Sequence, residues 1–308
     1  MTSSSLAARF LEGDERALAR AITLLESGRP QGQALLREVR ARANRARIVG
    51  ITGSPGSGKS TLSDRLIGKI RERDQRVAVV AVDPTSPYSG GAILGDRIRM
   101  LRWHQDRSVY IRSMATRGHL GGLAAASLQV VALLDAYGFD YVLIETVGVG
   151  QSEVDIVKVA DTTVLVMTPG QGDGVQAFKA GIMEIADVFA VNKFDQAGGP
   201  RLLRELKAAL ELGHPEEGEW WPAIQATTAA TGEGLDELMT HLDKHHEHLT
   251  ASSELDEIRR GRARFEIAAI VHERIRQQTE AQEGELIEAV LRGELEPGEA
   301  ARKVLESF

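Results

Sequence analysis

Between residues 47 and 250, short apolar runs alternate with segments of helical period. The runs are 48–52, 77–82, 109–111, 141–144, 163–167, 188–191 and 223–226, rich in Val and Ile. Continuous apolar runs of this length predict strands buried on both faces of a mainly parallel sheet, with the intervening segments as crossover helices. The flanks differ. Upstream, Leu18, Ile22 and Leu25, then Leu35, Leu36 and Val39, recur at helical spacing and are interrupted at Gly28 and Pro30, which predicts a helical extension. Downstream, Ile258, Phe265, Ala268, Ala269, His272 and Ile275 are followed, after Gly284, by Leu286, Ile287, Val290 and Leu291. This predicts two helices, which either pack on the parent domain or form a dimerisation arm. The expected organisation is an N-terminal helical extension (1–46), an α/β domain (47–250) and a C-terminal helical arm (251–308).

Two motifs sit where this framework gives them meaning. Gly53-Ser54-Pro55-Gly56-Ser57-Gly58-Lys59-Ser60 follows the run 48–52 and precedes a helix expected over about 59–71, with Thr61 in its first turn. This is the strand-loop-helix setting of a phosphate loop. Its backbone N–H groups cradle phosphates, its Lys reaches the β and γ phosphates and its Ser hydroxyl ligates Mg²⁺. Asn192-Lys193-Phe194-Asp195 follows the run 188–191, at a carboxyl end of the sheet, where open α/β sheets bind ligands. There Asp195 can accept from N1–H and the N2 amino group of guanine. Adenine lacks that donor pair and would leave the carboxylate unpaired. The expected ligands are therefore GTP and GDP, with Mg²⁺.

Phosphoryl transfer needs positioning and charge stabilisation more than an elaborate side-chain set. Asp83 and Glu145 each end an apolar run and are expected to reach Mg²⁺ near Ser60, directly or through water. For Asp83 the competing reading is a cap or turn residue before Pro84. Glu145-Thr146-Val147-Gly148 has the spacing of the D-x-x-G element of GTPases, with Glu for Asp, so Gly148 is the expected sensor of the γ-phosphate. The next residue is Val149, where many GTPases carry a water-orienting Gln. Slow unassisted hydrolysis is the expectation, and nothing in the sequence brings Gln151 to the attacking water. Glycine-rich stretches at 89–100 and 170–174 have the character of switches.

Composition narrows the picture further. With 37 Lys and Arg against 44 Asp and Glu, a net charge of −7 and no long basic run, polyanion binding is not expected. The absence of cysteine removes disulfides and thiolate chemistry. The N-terminus lacks a signal-type pattern and no stretch approaches a bilayer span, so a cytoplasmic protein without membrane contact is expected. His241, His245, His246 and His248 raise the idea of a nickel-insertion GTPase. Their place near the end of a helix starting near Glu233 favours instead a solvated C-terminal end. Trp220 and Trp221, before Pro222, read as packing at a strand entrance.

Longer stretches carry a resemblance. Asp83-Pro84-Thr85-Ser86-Pro87, Ser89-Gly90-Gly91 through Gly95-Asp96-Arg97-Ile98-Arg99-Met100, Thr116 to Gly122, and Glu145 through Gln151-Ser152-Glu153 closely resemble the MeaB/ArgK/MMAA family. Its members are GTPase chaperones of adenosylcobalamin-dependent acyl-CoA mutases of the methylmalonyl-CoA mutase type. The resemblance covers nearly the whole chain. It implies a SIMIBI-like P-loop GTPase, with Lys59 and Ser60 on the phosphates and Mg²⁺ and with Asp83, Asp96 and Glu145 as the metal-linked acidic set. Asn192, Lys193 and Asp195 would read guanine, with Thr228 and Ala229 in the base-contact loop. It further implies a homodimer through the C-terminal arm, a mutase partner that stimulates hydrolysis, and a third switch at about 170–186 in which Gln176 and Lys179 relay docking. The alternative is an ArgK-like protein kinase or transport ATPase, which would use ATP, against the N-K-F-D motif.

Overall fold

The computed structural model describes residues 3–43, 45–83, 100–115, 125–146, 155–170, 185–213 and 218–306. It divides into two compact units, Met1–Arg262 and Ala263–Phe308.

All seven apolar runs are strands: β1 (Arg47–Thr52), β2 (Val77–Asp83), β3 (Val109–Ala115), β4 (Tyr141–Thr146), β5 (Thr162–Met167), β6 (Val188–Val191) and β7 (Ala223–Ala226). They form one sheet in the order β3-β2-β4-β1-β5-β6-β7, and every pairing is parallel. Parallel neighbours require crossovers, and helices supply them. Val49, Ile51, Val79, Leu143, Val164 and Val188 point to one face. There they pack on Leu62, Leu66 and Ile70 of α4 (Lys59–Glu72) and on Leu238 and Leu242 of a later helix, Leu235–Ser252. On the other face Leu165, Met167, Phe189 and Val191 meet Leu202 and Leu206 of the helix Gly199–Leu210. Because β1 is central, the loop that follows it is held from both sides.

The N-terminal extension is three helices, α1 (Ser3–Leu11), α2 (Glu15–Glu26) and α3 (Pro30–Val39). Asp14 caps α2 by accepting from the N–H of Arg16 at 2.8 Å. Gly28, at φ +63°, turns the chain out of α2, and Pro30 supplies the preset φ of the first turn of α3. Leu18, Ile22, Leu25, Leu35, Leu36 and Val39 are all buried. They explain an oddity of α5 (Ala125–Tyr137), which is apolar nearly all round: both α2 and α3 pack on it, so it is sandwiched rather than half-exposed. Polar ties fix the join, with Gln33 and Gln129 pairing their amides at 2.8 Å and the Asp135 carboxylate accepting from the N–H of Arg45 and Ala46.

The remaining helices are α6 (Gly199–Leu210), α7 (Leu235–Ser252), α8 (Glu254–Leu291) and α9 (Pro297–Glu306). The expected break at Gly284 is absent: α8 runs through it, and the turn comes at Gly293, with φ +72°. A single interior glycine costs about 1 kcal/mol of helix propensity, too little to end a helix whose neighbours, such as Glu285, Leu286 and Glu288, are good helix formers.

Candidate functional site

Register delivers the phosphate loop to the carboxyl edge of the sheet. Thr52 ends β1 beside Leu165 of β5, while Ile51 pairs with Glu145 of β4. The chain then turns through residues 53–58 into α4. Glycine is required at two points. At Gly53 (φ +138°) an added Cβ would stand 2.2 Å from the Val166 carbonyl oxygen, and at Gly58 (φ +93°) it would stand 2.4 Å from Nδ2 of Asn192. Neither backbone conformation suits an L side chain. Lys59, nearly buried, curls back over the loop and donates to the carbonyls of Gly53 and Ser54, the latter at 3.1 Å.

The first turn of α4 meets β4. The Ser60 hydroxyl donates to Oε1 of Glu145 at 2.5 Å, and Glu145 is fully buried. The Thr146 hydroxyl donates to that of Thr52 at 3.2 Å. A hydroxyl and a carboxylate at one point, with no sulfur or imidazole, are a donor set for a hard cation such as Mg²⁺. Asp83 closes β2, whose Ala81 pairs with Glu145 and whose Val82 pairs with Thr146. Its backbone thus reaches the same edge, while its side chain lies outside the described residues. Asp96, Gly148, Gln151, Gln176 and Lys179 also lie outside them. Residues 102 and 103 are tied to α4, because the Asp64 carboxylate accepts from Arg102 Nε and Trp103 Nε1, both at 2.8 Å.

The second motif is joined to the first by hydrogen bonds. Asn192, 2 % exposed, donates through Nδ2 to the Ser57 carbonyl at 2.9 Å and accepts at Oδ1 from the Ala229 N–H at 3.0 Å. One buried amide therefore connects the phosphate loop, the end of β6 and the loop after β7. Lys193 donates to the Gly56 carbonyl at 2.9 Å, held by a positive φ of 55° that is unusual for a side-chain-bearing residue. Asp195 is exposed at the same edge. Thr228 is fixed by its N–H to the Glu233 carbonyl at 3.0 Å. In this buried set the Ser57 hydroxyl has no hydrogen-bond partner among the described residues, so the loop keeps a donor for a phosphate oxygen.

One member of the network was not anticipated from sequence. Arg65 of α4 donates from Nε to the Ala229 carbonyl at 2.9 Å and from Nη2 to the Ala230 carbonyl at 2.5 Å. Its partners lie more than 160 residues away, and no local pattern marks them.

The histidine group departs from expectation. His245 is 2 % exposed rather than solvated, with its ring 4.7 Å from Trp220 and its Nδ1 2.9 Å from the Thr162 hydroxyl. Burial pushes its pKa down to about 4. Its Nε2 is 3.5 Å from Oδ1 of Asp187, whose own pKa burial pushes up to about 7, against the N–H of Thr163. With His245 held neutral, this contact is not a salt bridge, and burial favours the protonated form of Asp187. It lies at the amino ends of β5 and β6, away from the two motifs. Trp220 packs here as expected, and its Nε1–H donates to the Asp187 carbonyl at 2.9 Å.

Comparison with known proteins agrees with this geometry. Residues 18–284 match the family described as methylmalonyl Co-A mutase-associated GTPase MeaB. A Pyrococcus horikoshii protein named "Putative GTPase" is 48% identical, over 97% of this chain and 96% of its own. The mouse protein named methylmalonic aciduria type A homolog, mitochondrial, is 34% identical over 97% of this chain and 78% of its own. A crystal structure titled LAO/AO transport system kinase superposes with a TM-score of 0.73 at 26% identity, covering 99% of this chain and 97% of that one. The chain is a P-loop GTPase and belongs to the family of methylmalonyl-CoA mutase-associated GTPases of the MeaB type.

Proposed function

We propose that this GTPase acts as a chaperone of an adenosylcobalamin-dependent acyl-CoA mutase, gating cofactor loading and protecting or reactivating the enzyme. The observation that carries the nucleotide side of the reading is the Asn192 amide, which makes the phosphate loop and the guanine motif one structural unit. Residues 53–61 hold the phosphates and Lys59 shifts from the loop carbonyls to the β and γ oxygens. Ser60 and Glu145, with Asp83 and Asp96, take Mg²⁺, which supplies charge neutralisation on the phosphates. Asp195 reads N1–H and N2 of guanine, and Thr228 and Ala229 belong to the base loop. Gly148 senses the γ-phosphate, while Gln176 and Lys179 relay docking.

In this reading GTP and GDP favour different arrangements around the site, and the mutase binds them with different free energies. Nucleotide state thereby becomes a signal to the partner. The support is the match to a mutase-associated family together with Val149 where a water-orienting Gln is common. The protein works as a homodimer through its C-terminal unit, where Ile267, Val271, Ile287 and Leu291 are exposed. The test is steady-state GTP hydrolysis with and without an adenosylcobalamin-dependent acyl-CoA mutase from the same source. The expected result is slow turnover alone and at least about tenfold stimulation by the partner, as expected when missing positioning is supplied in trans. Hydrolysis already fast alone, or indifferent to every such mutase, rejects the chaperone reading.

A further inference from the structure

We infer that Arg65 is a positioning residue for guanine selectivity, acting through the loop after β7 rather than on the nucleotide itself. The proposal rests on the reading of residues 192–195 and 228–229 as the guanine site. Arg65 stands on the same helix as Lys59 and Ser60, so the element that opens at the phosphates also holds the loop beside the base.

The geometry points to this role in three steps. First, the guanidinium spends two donors, Nε and Nη2, on two successive carbonyls, those of Ala229 and Ala230. A planar fork bonded to consecutive peptides fixes the rotation of both, which a lysine with its single point of charge cannot do. Second, the Ala229 N–H is already committed to Oδ1 of Asn192, so this amide is not a free donor for the base. Third, a planar trans peptide sets its N–H opposite its C=O. With the Ala229 carbonyl held toward Arg65, the Ala230 N–H is turned away from the helix, and it has no partner among the described residues. Arg65 thereby presents the Ala230 N–H as the backbone donor for the purine 6-position. Guanine has an acceptor oxygen there, whereas adenine has an amino group that would oppose the N–H.

The test is calorimetric titration of the full chain with GDP and with ADP, for the native protein, Arg65→Ala and Arg65→Lys, with GTP hydrolysis measured in parallel. Losing two charge-assisted hydrogen bonds is expected to weaken GDP binding by about tenfold or more in Arg65→Ala and to raise the KM for GTP. ADP affinity and kcat at saturating GTP stay within about twofold. Arg65→Lys, which preserves charge and helix and can satisfy one carbonyl, is expected to fall between; should Arg65→Ala not fold, the same contrast is read from Arg65→Lys. Unchanged GDP binding in the folded variants overturns the proposal. So does an equal loss for GDP and ADP, which assigns Arg65 to the phosphate loop or to general stability. A native protein that does not prefer GDP to ADP overturns the guanine-site reading, and this inference with it.

Discussion

The two ends of the sheet bury polar side chains in opposite ways. At the carboxyl edge Ser60, Glu145, Asn192 and Arg65 each bond to a different segment of chain, so that each hydrogen bond links loops far apart in sequence. At the amino edge Asp187 and His245 face each other with the Trp220 ring beside His245, and burial drives both toward neutrality. Buried polarity is stable when every group finds a partner, and costly when a charge is left without one. The carboxyl edge keeps polar groups to position a ligand. The amino edge spends them on packing strands to α7.

The sharpest way to break this contrast is at Lys59. Lys59→Ala should reduce GDP and GTP affinity by at least about a hundredfold, since a charge on the phosphates in a partly dry site is worth several kcal/mol. Circular dichroism should report an unchanged fold; calorimetry showing near-native affinity would remove Lys59 from the site. Next comes Asn192→Ala, which leaves the Ala229 N–H and the Ser57 carbonyl without their present partner. A loss of about 2–4 kcal/mol in urea unfolding is expected, with weaker nucleotide binding; a change under about 0.5 kcal/mol would show that the two loops are not held through this amide.

Arg262 tests a different join. Its guanidinium bonds the Asp161 carboxylate and the Val159 carbonyl, and Asp161 also accepts from the Ile48 N–H at 2.8 Å. Arg262→Ala strands a buried carboxylate and should cost about 3 kcal/mol. A truncation testing the dimer is therefore best placed after residue 262, which keeps this contact. That truncated chain is expected to be a folded, GTP-binding monomer by light scattering, and a persistent dimer would put the interface elsewhere.

The smallest effect belongs to the amino edge and its sign is definite. The folded pKa of His245 lies below its ordinary 6.5, at about 4. Its contribution is thus complete above pH 6.5 and is lost as pH falls through 4. Asp187 runs the other way, its contribution complete below its ordinary 3.8 and lost as pH rises through about 7. Between pH 6.5 and 4, the His245 contribution to unfolding free energy should fall by about 2 kcal/mol while that of Asp187 rises, so His245→Gln should remove the fall and leave the opposite slope of Asp187, with GDP affinity unchanged. An unaltered profile in the variant would mean that His245 is not held neutral.

Much of the sheet and of the two motifs was legible because their signals are local. A run such as 188–191, or glycines at 53 and 58, states its role within a few residues of itself. Arg65 and Arg262 were invisible because their partners lie more than a hundred residues away. His245 misled because its position near a helix end suggests solvent, whereas Trp220 and Thr162 cover it. Gly284 misled because one glycine weakens a helix without ending it.

The claim that the carboxyl edge reads guanine is tested most directly by exchanging what Asp195 accepts. Titrating the native protein and Asp195→Asn with GDP and with xanthosine diphosphate should show at least about a hundredfold preference for GDP in the first and a shift toward xanthosine diphosphate in the second. Comparable affinities of the native protein for the two nucleotides, or a preference that Asp195→Asn does not move, would contradict the account.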